Sequence, residues 1–349
     1  MNVAILGASG YGGGELLRLL GGHPETKIAV ATSRTHAGQR VEAAFPGMAK
    51  RLDVTFRESA APEELAECAV VFLARDNGVA MREVPGLLDL GCKVIDLSAD
   101  FRLRDTAVYD AFYTGPHAAP DLLREAVYGM PELHRDAIRN ARIVGNPGCY
   151  TTAAILGLAP LLALDRNEPT VDRSSLIVDA KSGISGSGRS RFGLATHFSE
   201  ANENARAYNI AGAHRHTPEI EQELSLVAGE PIAITFTPHV VPMTRGIIAT
   251  CYATLRRPVS TDDLLASYRD FYADEPFAHV TDALPETKHT LGSNMLHIGL
   301  RVDQRVRRVT VVSCLDNLGK GMAGQAVQNM NIMCGFDETT GLNAPGLWP

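Results

Sequence analysis

Cys149 directly follows a Pro-Gly turn in Asn146-Pro147-Gly148-Cys149-Tyr150-Thr151-Thr152, and an alanine- and leucine-rich run comes after it. That order places a thiol at the start of a helix. Free main-chain N–H groups and the helix dipole favour an anion there and lower a thiol pKa, so Cys149 is expected to act as a thiolate nucleophile. Further on, His214-Arg215-His216-Thr217-Pro218-Glu219 carries two imidazoles, a guanidinium and a carboxylate just ahead of another helix-like run. Imidazole titrates near neutrality, which suits it to move a proton during sulfur chemistry. The residues alone leave open whether His214 or His216 does so. A metal site is not expected, because no further close-spaced His, Cys or Asp completes a ligand set.

Several other segments are suited to meet phosphate or an oxyanion. Gly7-Ala8-Ser9-Gly10-Tyr11-Gly12-Gly13 joins a short apolar run to the helix-like Glu15 to Leu20. Glycines there permit a tight turn and let the backbone approach a pyrophosphate, with the helix N-terminus adding positive partial charge. The spacing is GxxGxxG, and Gly7, Ser9, Gly10, Tyr11 and Gly12 are the expected cofactor contacts. The next strand-like run ends in Ala31-Thr32-Ser33-Arg34-Thr35, with no carboxylate to hold a ribose 2′-hydroxyl. Ser33 and Arg34 suit a 2′-phosphate, so NADPH/NADP is expected over NADH. Lys181-Ser182-Gly183-Ile184-Ser185-Gly186-Ser187-Gly188-Arg189 is a second glycine-serine loop, in which Ser185 and Gly186 can offer donors to cofactor phosphate or to an oxyanion. Asp96-Leu97-Ser98-Ala99-Asp100-Phe101-Arg102 follows a strand, and Arg102 could clamp a phosphate bidentately. A dinucleotide beside an activated thiol suggests hydride exchange with a thioester or thiohemiacetal.

These residues need a scaffold, and the chain has the material for one. Its 349 residues are 45% hydrophobic and 21% charged, enough for two domains with substantial cores. A net charge of −7 argues against a general nucleic-acid or membrane-surface binder. Met1 to Gly7 reads at once as a buried strand, so no signal peptide is expected, and no apolar run reaches membrane-span length. The six cysteines are scattered without a CxxC pair, which predicts no disulfide framework and a reducing, cytoplasmic setting.

Strand-like runs at 2–7, 27–32, 69–74, 93–98 and 141–145 enclose helix-like stretches at 15–20 and 79–90. Such alternation predicts an α/β fold with a Rossmann-like, doubly wound parallel sheet. A helix is expected over 152–164. Beyond it, strand-like runs at 176–180, 233–237, 246–255, 297–302 and 308–314, with helices at 217–226 and 260–272, predict an α+β domain with a mixed or antiparallel sheet. Thr217 is expected to cap the first of these helices, with Pro218 at its first position. A last helix over 321–333 could return to the first domain.

Together, GASGYGG at 7–13, DLSADFR at 96–102, YGMPEL at 128–133, NPGCY at 146–150, KSGISGSGR at 181–189, HRHTPEIEQ at 214–222, PHVVPMTRGI at 238–247 and DNLGKGMAGQAVQNMN at 316–331 resemble the N-acetyl-gamma-glutamyl-phosphate reductases, relatives of aspartate-semialdehyde dehydrogenase. The resemblance implies an NADP-binding domain over 1–148, rejoined by 318–349, and a catalytic and oligomerisation domain over 149–317. It implies that the Cys149 thiolate expels phosphate from an acyl phosphate and that the thioester accepts hydride from NADPH. One histidine of the His214/His216 pair would manage the proton. Arg102, Glu219 and Arg245 would meet substrate, with His239 a lesser candidate, and Asn317 would lie near the nicotinamide. Relatives are usually homo-oligomers, dimers or tetramers. The partners implied are an acyl phosphate and phosphate, with no nucleic acid and no membrane. The paralogue that reduces a carrier-bound aminoadipyl phosphate in lysine biosynthesis is the alternative. One departure is Tyr-Thr-Thr after the nucleophile, where Tyr-Pro-Thr is frequent in the family.

Overall fold

The computed structural model describes residues 1–113, 115–190 and 193–348. They divide into two compact units. The first takes the described residues of Met1–Pro147, Gly188–Ser190 and Met322–Ala344, and the second those of Gly148–Ser187, Arg191–Gly321 and Pro345–Pro349.

The first unit is built on six parallel strands: β1 (Asn2–Leu6), β2 (Lys27–Thr32), β3 (Val70–Leu73), β4 (Lys93–Asp96), β5 (Val127–Tyr128) and β6 (Ile143–Gly145). Their order is β2-β1-β3-β4-β6-β5. Val70, Val71, Phe72 and Leu73 are fully buried, as strands covered on both faces must be. The chain passes to one side of β1 and then to the other. The crevice where ligands of such sheets bind therefore lies at the carboxyl ends of β1 and β3. Gly7 sits there with φ +93°, and a Cβ on it would fall 2.2 Å from the Ala74 carbonyl oxygen. Only glycine fits that turn. The helix Tyr11–Leu20 then begins with Gly10 as its N-cap.

The helix Gly324–Cys334 also belongs to this unit, and it is buried although rich in amides. Gln325 and Asn329 both donate to the Gly129 carbonyl, at 2.7 and 2.8 Å. Asn329 also donates to Asn146 Oδ1 at 3.1 Å, while Asn146 Nδ2 donates to the Met322 carbonyl at 2.9 Å. These amides replace water for main-chain groups that the short β5 leaves unpaired.

The second unit holds a mixed sheet of seven strands: β7 (Val171–Ser182), β8 (Arg206–Ala207), β9 (Thr235–Val240), β10 (Ile247–Leu255), β11 (Ala278–Val280), β12 (Leu296–Asp303) and β13 (Arg308–Leu315). Their order is β11-β12-β13-β10-β7-β9-β8. The helix Cys149–Asn167 is apolar all round and lies across the sheet. It meets the Ile247, Ala249, Cys251, Ala253 and Leu255 side of β10, which is buried, while Ile248, Thr250, Tyr252 and Thr254 on the other side are half-buried. Gly157 allows the close approach: a Cβ there would be 3.3 Å from Ser313 Cβ and 3.6 Å from Cys251 Sγ.

This helix starts three residues earlier than the apolar run alone predicts. Thr151 and Thr152 turn their hydroxyls back to the Gly148 carbonyl, at 2.6 and 3.1 Å, so β-branched residues fit the first turn. Pro160 lies inside the same helix and has no N–H for the Leu156 carbonyl four residues before it. Tyr272, which caps the helix Thr261–Phe271, supplies the missing donor through its hydroxyl. In Tyr272→Phe, stability is expected to fall by about 1–3 kcal/mol, because the Leu156 carbonyl stays buried without that donor. Pro160→Ala returns a main-chain N–H to it, so in that background the same change is expected to cost clearly less. Urea unfolding of the four-member double-mutant cycle reads the coupling; equal losses in both backgrounds would refute the pairing.

Candidate active site

Cys149 is the first residue of its helix, with Gly148 as N-cap, and is partly exposed. The Gly148 N–H donates to Glu219 Oε1 at 2.9 Å. Thr151 Oγ1 lies 2.8 Å from that same oxygen and 2.6 Å from the Gly148 carbonyl, so its single proton is shared between them. Glu219 is only 1% exposed. It is the third residue of the helix Thr217–Ala228, so one carboxylate serves the N-termini of two helices at once.

That second helix is capped by His216 in αR geometry (φ −80°, ψ −13°), one residue before the Thr217 cap that the sequence suggests. The His216 side chain makes no cap hydrogen bond, and Glu219, two residues into the helix from Thr217, turns toward Gly148. The rings of His214 and His216 stand 4.8 Å apart, and both meet Tyr150 edge-on, at 5.8 and 6.0 Å. Tyr150 donates its hydroxyl to the His239 carbonyl at 2.6 Å, and burial raises its phenol well above the ordinary range. Tyr208 is pushed up to about 12, again mainly by burial.

The two histidines differ in kind. His214 is buried, and its pKa is lowered to about 4, first by burial and then by the Arg215 charge. The His216 N–H donates to His214 Nδ1 at 3.0 Å, which assigns the ring proton to Nε2, 3.4 Å from the Tyr208 hydroxyl. His214 is therefore neutral at physiological pH, with its basic nitrogen already used. His216 is only partly buried and stands beside Tyr150.

Arg245 and Asn317 lie in a second cluster of the same unit. Asp316 is fully buried and accepts Arg245 Nε and Nη2 at 2.9 Å each, together with the N–H groups of Gly292, Leu318 and Gly319 at 2.7, 2.8 and 3.0 Å. Asn317 takes the Gly246 N–H on Oδ1 at 2.7 Å and donates to Ser185 Oγ at 2.9 Å. A Cβ on Gly186 would lie 3.8 Å from the Asn317 amide. The Gly321 N–H bonds the Asp316 carbonyl at 2.9 Å, and a Cβ on Gly321 would come within 2.9 Å of Cys149 Cβ. Cys149, Arg245, Asn317 and Ser185 thus belong to one connected region.

The remaining expected residues lie in the first unit. The Gly7 N–H donates to Thr32 Oγ1 at 3.1 Å, and Ser33 donates its hydroxyl to Ser9 Oγ at 2.7 Å. Tyr11 is 41% exposed and Arg34 is exposed. A Cβ on Gly12 would meet Met322 Sδ at 2.8 Å. These glycines, and the absence of a carboxylate at the end of β2, fit a phosphorylated dinucleotide. Arg102 is buried, and its guanidinium donates to the carbonyls of Asn146 and Leu97 at 2.7 and 2.9 Å. No group of His, Cys, Asp and Glu fit to hold a metal occurs among the described residues.

Asn146 and Asp316 are fully buried and hydrogen-bonded on several sides, yet the sequence singles out neither by chemistry. The only available signal was their position beside the turn before Cys149 and the loop before Gly319. The chain carries five further thiols. Burial raises all five, Cys68 to about 11 and Cys251 and Cys314 to about 12.

Comparison with known proteins bears on the whole chain. Residues 2–141 match the semialdehyde dehydrogenase NAD binding domain, and residues 149–317 the semialdehyde dehydrogenase dimerisation domain. The N-acetyl-gamma-glutamyl-phosphate reductase of Symbiobacterium thermophilum is 54% identical over 352 aligned positions, covering 100% of this chain and 99% of the relative. That of Geobacter metallireducens is 51% identical, with both chains fully covered. Among solved structures, aspartate semialdehyde dehydrogenase with NADP from Candida albicans shares the fold, with a TM-score of 0.71 at 18% identity over 95% of this chain and 98% of that one. The Vibrio cholerae aspartate semialdehyde dehydrogenase II complexed with ASA gives 0.69 at 18% identity, over 95% and 98%.

The contrast between the histidines yields a kinetic expectation. In His216→Asn, kcat is expected to fall about 10²-fold or more, the usual worth of a general acid/base. In His214→Asn, whose Oδ1 can still accept the His216 N–H, the pH profile of kcat keeps its shape. Nitrogen NMR of labelled histidine should find His214 neutral from pH 8 down to about pH 5; a titration near 6.5 would refute its assignment.

Proposed function

Because the chain belongs to the N-acetyl-gamma-glutamyl-phosphate reductase family of semialdehyde dehydrogenases, we propose that it reduces N-acetyl-L-glutamyl 5-phosphate to the 5-semialdehyde, with release of phosphate, in arginine biosynthesis. The observation that carries this reading is Cys149 at the first position of a buried helix whose N-cap is held by Glu219.

Cys149 attacks the acyl carbon as a thiolate. The carbonyl reforms as the C–O bond to phosphate breaks, which leaves a thioester on Sγ. NADPH, when bound, supplies the hydride that reduces this thioester. The positive end of the helix stabilises negative charge on sulfur before attack and again when the hemithioacetal collapses. His216 moves the proton of the oxyanion, and His214 fixes the His216 backbone through Nδ1. Arg245, aligned by Asp316, binds the substrate's anionic end. Glu219 and Arg102 act as positioning residues, one on the N-cap and the other on the Asn146 carbonyl two residues before it. Asn317 joins Ser185 to Gly246 so that the glycine-serine loop keeps its form.

The cofactor side rests on Gly7 to Gly13, Ser33 and Arg34, with NADPH preferred because β2 ends without a carboxylate. For the domains we keep the assignment of an NADP-binding part to residue 148, a catalytic and oligomerisation part to 317 and a return from 318; the division into compact units near Pro147 and Gly321 supports it. No helix among the described residues is long and apolar enough to cross a membrane. Six free thiols fit a reducing cytoplasm. The chain forms a homodimer, the unit of any tetramer, through the sheet face of Ile177, Thr250 and Tyr252, which is half-buried in the single chain.

Phosphate-dependent oxidation of N-acetyl-glutamate semialdehyde, run with NADP and then NAD, tests the activity. Cys149→Ser is expected to abolish it while leaving NADPH binding near normal. Turnover of a carrier-linked aminoadipyl phosphate in place of the acetylated substrate would overturn the reading. For the assembly, Thr250→Arg is expected to lower the sedimenting mass to that of one chain; an unchanged mass would exclude this face.

A further inference from the structure

Arg189 has no part in the roles above. It lies in Gly188–Ser190, the three loop residues that group with the nucleotide-binding unit. Its Nη1 donates to the Ser9 carbonyl and its Nη2 to the Ala44 carbonyl, both at 3.2 Å. Its guanidinium carbon stands 4.9 Å from the centre of the Phe45 ring. That ring fills the notch left by Gly14, where a Cβ would come within 2.5 Å of it. A cation is thus shelved on an aromatic face beside the glycine turn. Among the described residues no carboxylate pairs with it; its hydrogen-bond partners are the two main-chain carbonyls.

Three features give this cation a ligand. Two long bonds to neutral oxygens use little of a guanidinium's five-donor fork, which prefers an anion with two oxygens to offer. The residue it grips, Ser9, is the one whose side chain joins the glycine turn to the end of β2, because Ser9 Oγ accepts the Ser33 hydroxyl at 2.7 Å. Arg34, next after Ser33, is exposed and carries the guanidinium within Ala31 to Thr35 itself. A phosphate monoester holds close to two negative charges at neutral pH, more than one arginine neutralises.

We propose that Arg189 is a specificity-determining residue that grips the 2′-phosphate of the cofactor together with Ser33 and Arg34, exchanging its carbonyl partners for phosphate oxygens. Phe45 keeps the side chain aimed at the turn beforehand, so little rotamer freedom is lost on binding. A dinucleotide without the 2′-phosphate gives Arg189 nothing to hold. The proposal rests on the NADPH reading above, and its test separates the two.

Calorimetry with 2′,5′-ADP and 5′-AMP as probes, and steady-state rates with NADPH and NADH, decide it. Wild type is expected to bind 2′,5′-ADP more tightly than 5′-AMP. Arg189→Ala is expected to weaken 2′,5′-ADP about tenfold or more, the worth of one or two charge-assisted hydrogen bonds, and to leave 5′-AMP unchanged. Its kcat/KM for NADPH should fall by a like factor while that for NADH stays, with kcat at saturating NADPH retained. Arg189→Gln, which keeps donors and bulk without charge, should lose nearly as much, and it replaces the alanine variant if that one fails to fold by thermal unfolding. Equal losses with both probes would assign Arg189 to the pyrophosphate or to the fold and overturn the proposal, as would no loss with either. A wild type that binds the two probes equally would overturn the NADPH reading itself, and this role with it.

Discussion

One carboxylate shared by two helix starts governs the catalytic unit. Glu219 is almost wholly buried, a position that an ionised side chain occupies only when its surroundings replace water. Here the replacements are the Gly148 N–H, the Thr151 hydroxyl and the positive ends of two helices. The same contact has two consequences. It fixes where the Cys149 helix begins, and it ties that start to a helix whose cap is His216. The proposed nucleophile and the proposed proton handler are thereby tied together by a single interaction. The sheet, the buried apolar helix and the Tyr272 hydroxyl that completes its bonding supply the stiffness that lets such an arrangement persist.

The nucleotide unit depends on a different constraint, the absence of side chains. At Gly7 and Gly13 an added Cβ would run into main-chain atoms, 2.2 Å from the Ala74 oxygen and 2.6 Å from the Gly7 oxygen. Space made in this way cannot be recovered by a rotamer change, since backbone does not step aside. The turn is therefore rigid before any ligand arrives, and the serines and arginines around it adjust to a fixed cradle.

Much of this was legible in the sequence. Runs such as Val70–Leu73 announce buried parallel strands, and the Asn-Pro-Gly turn announces a thiol at a helix start. The strands Val127–Tyr128 and Arg206–Ala207 were not legible, because two residues become a strand only through their partners. The Pro-Gly turn marks the start of the Cys149 helix, whereas the apolar run alone begins three residues too late, because the threonine hydroxyls return to the Gly148 carbonyl locally, which propensity does not register. The pair His214 and His216 looked interchangeable on paper. Burial and a backbone N–H tell them apart, and neither exists until the chain has folded. Arg102 and Asn317 read as ligand contacts by type, whereas their bonds run largely to the protein's own main chain.

The partition of the thiols carries a cost for the cell. Burial pushes up the thiols of Cys68, Cys92, Cys251, Cys314 and Cys334, the last of them partly exposed like Cys149, and so makes them poorer targets for peroxide. Cys149 stands partly open at a helix start, with no second cysteine in the same turn to receive a sulfenic acid as a disulfide. Oxidative damage at this helix start would therefore fall on the sulfur proposed as the nucleophile. On that reading, molecules oxidised there would stay silent until a reductant from outside restored that atom.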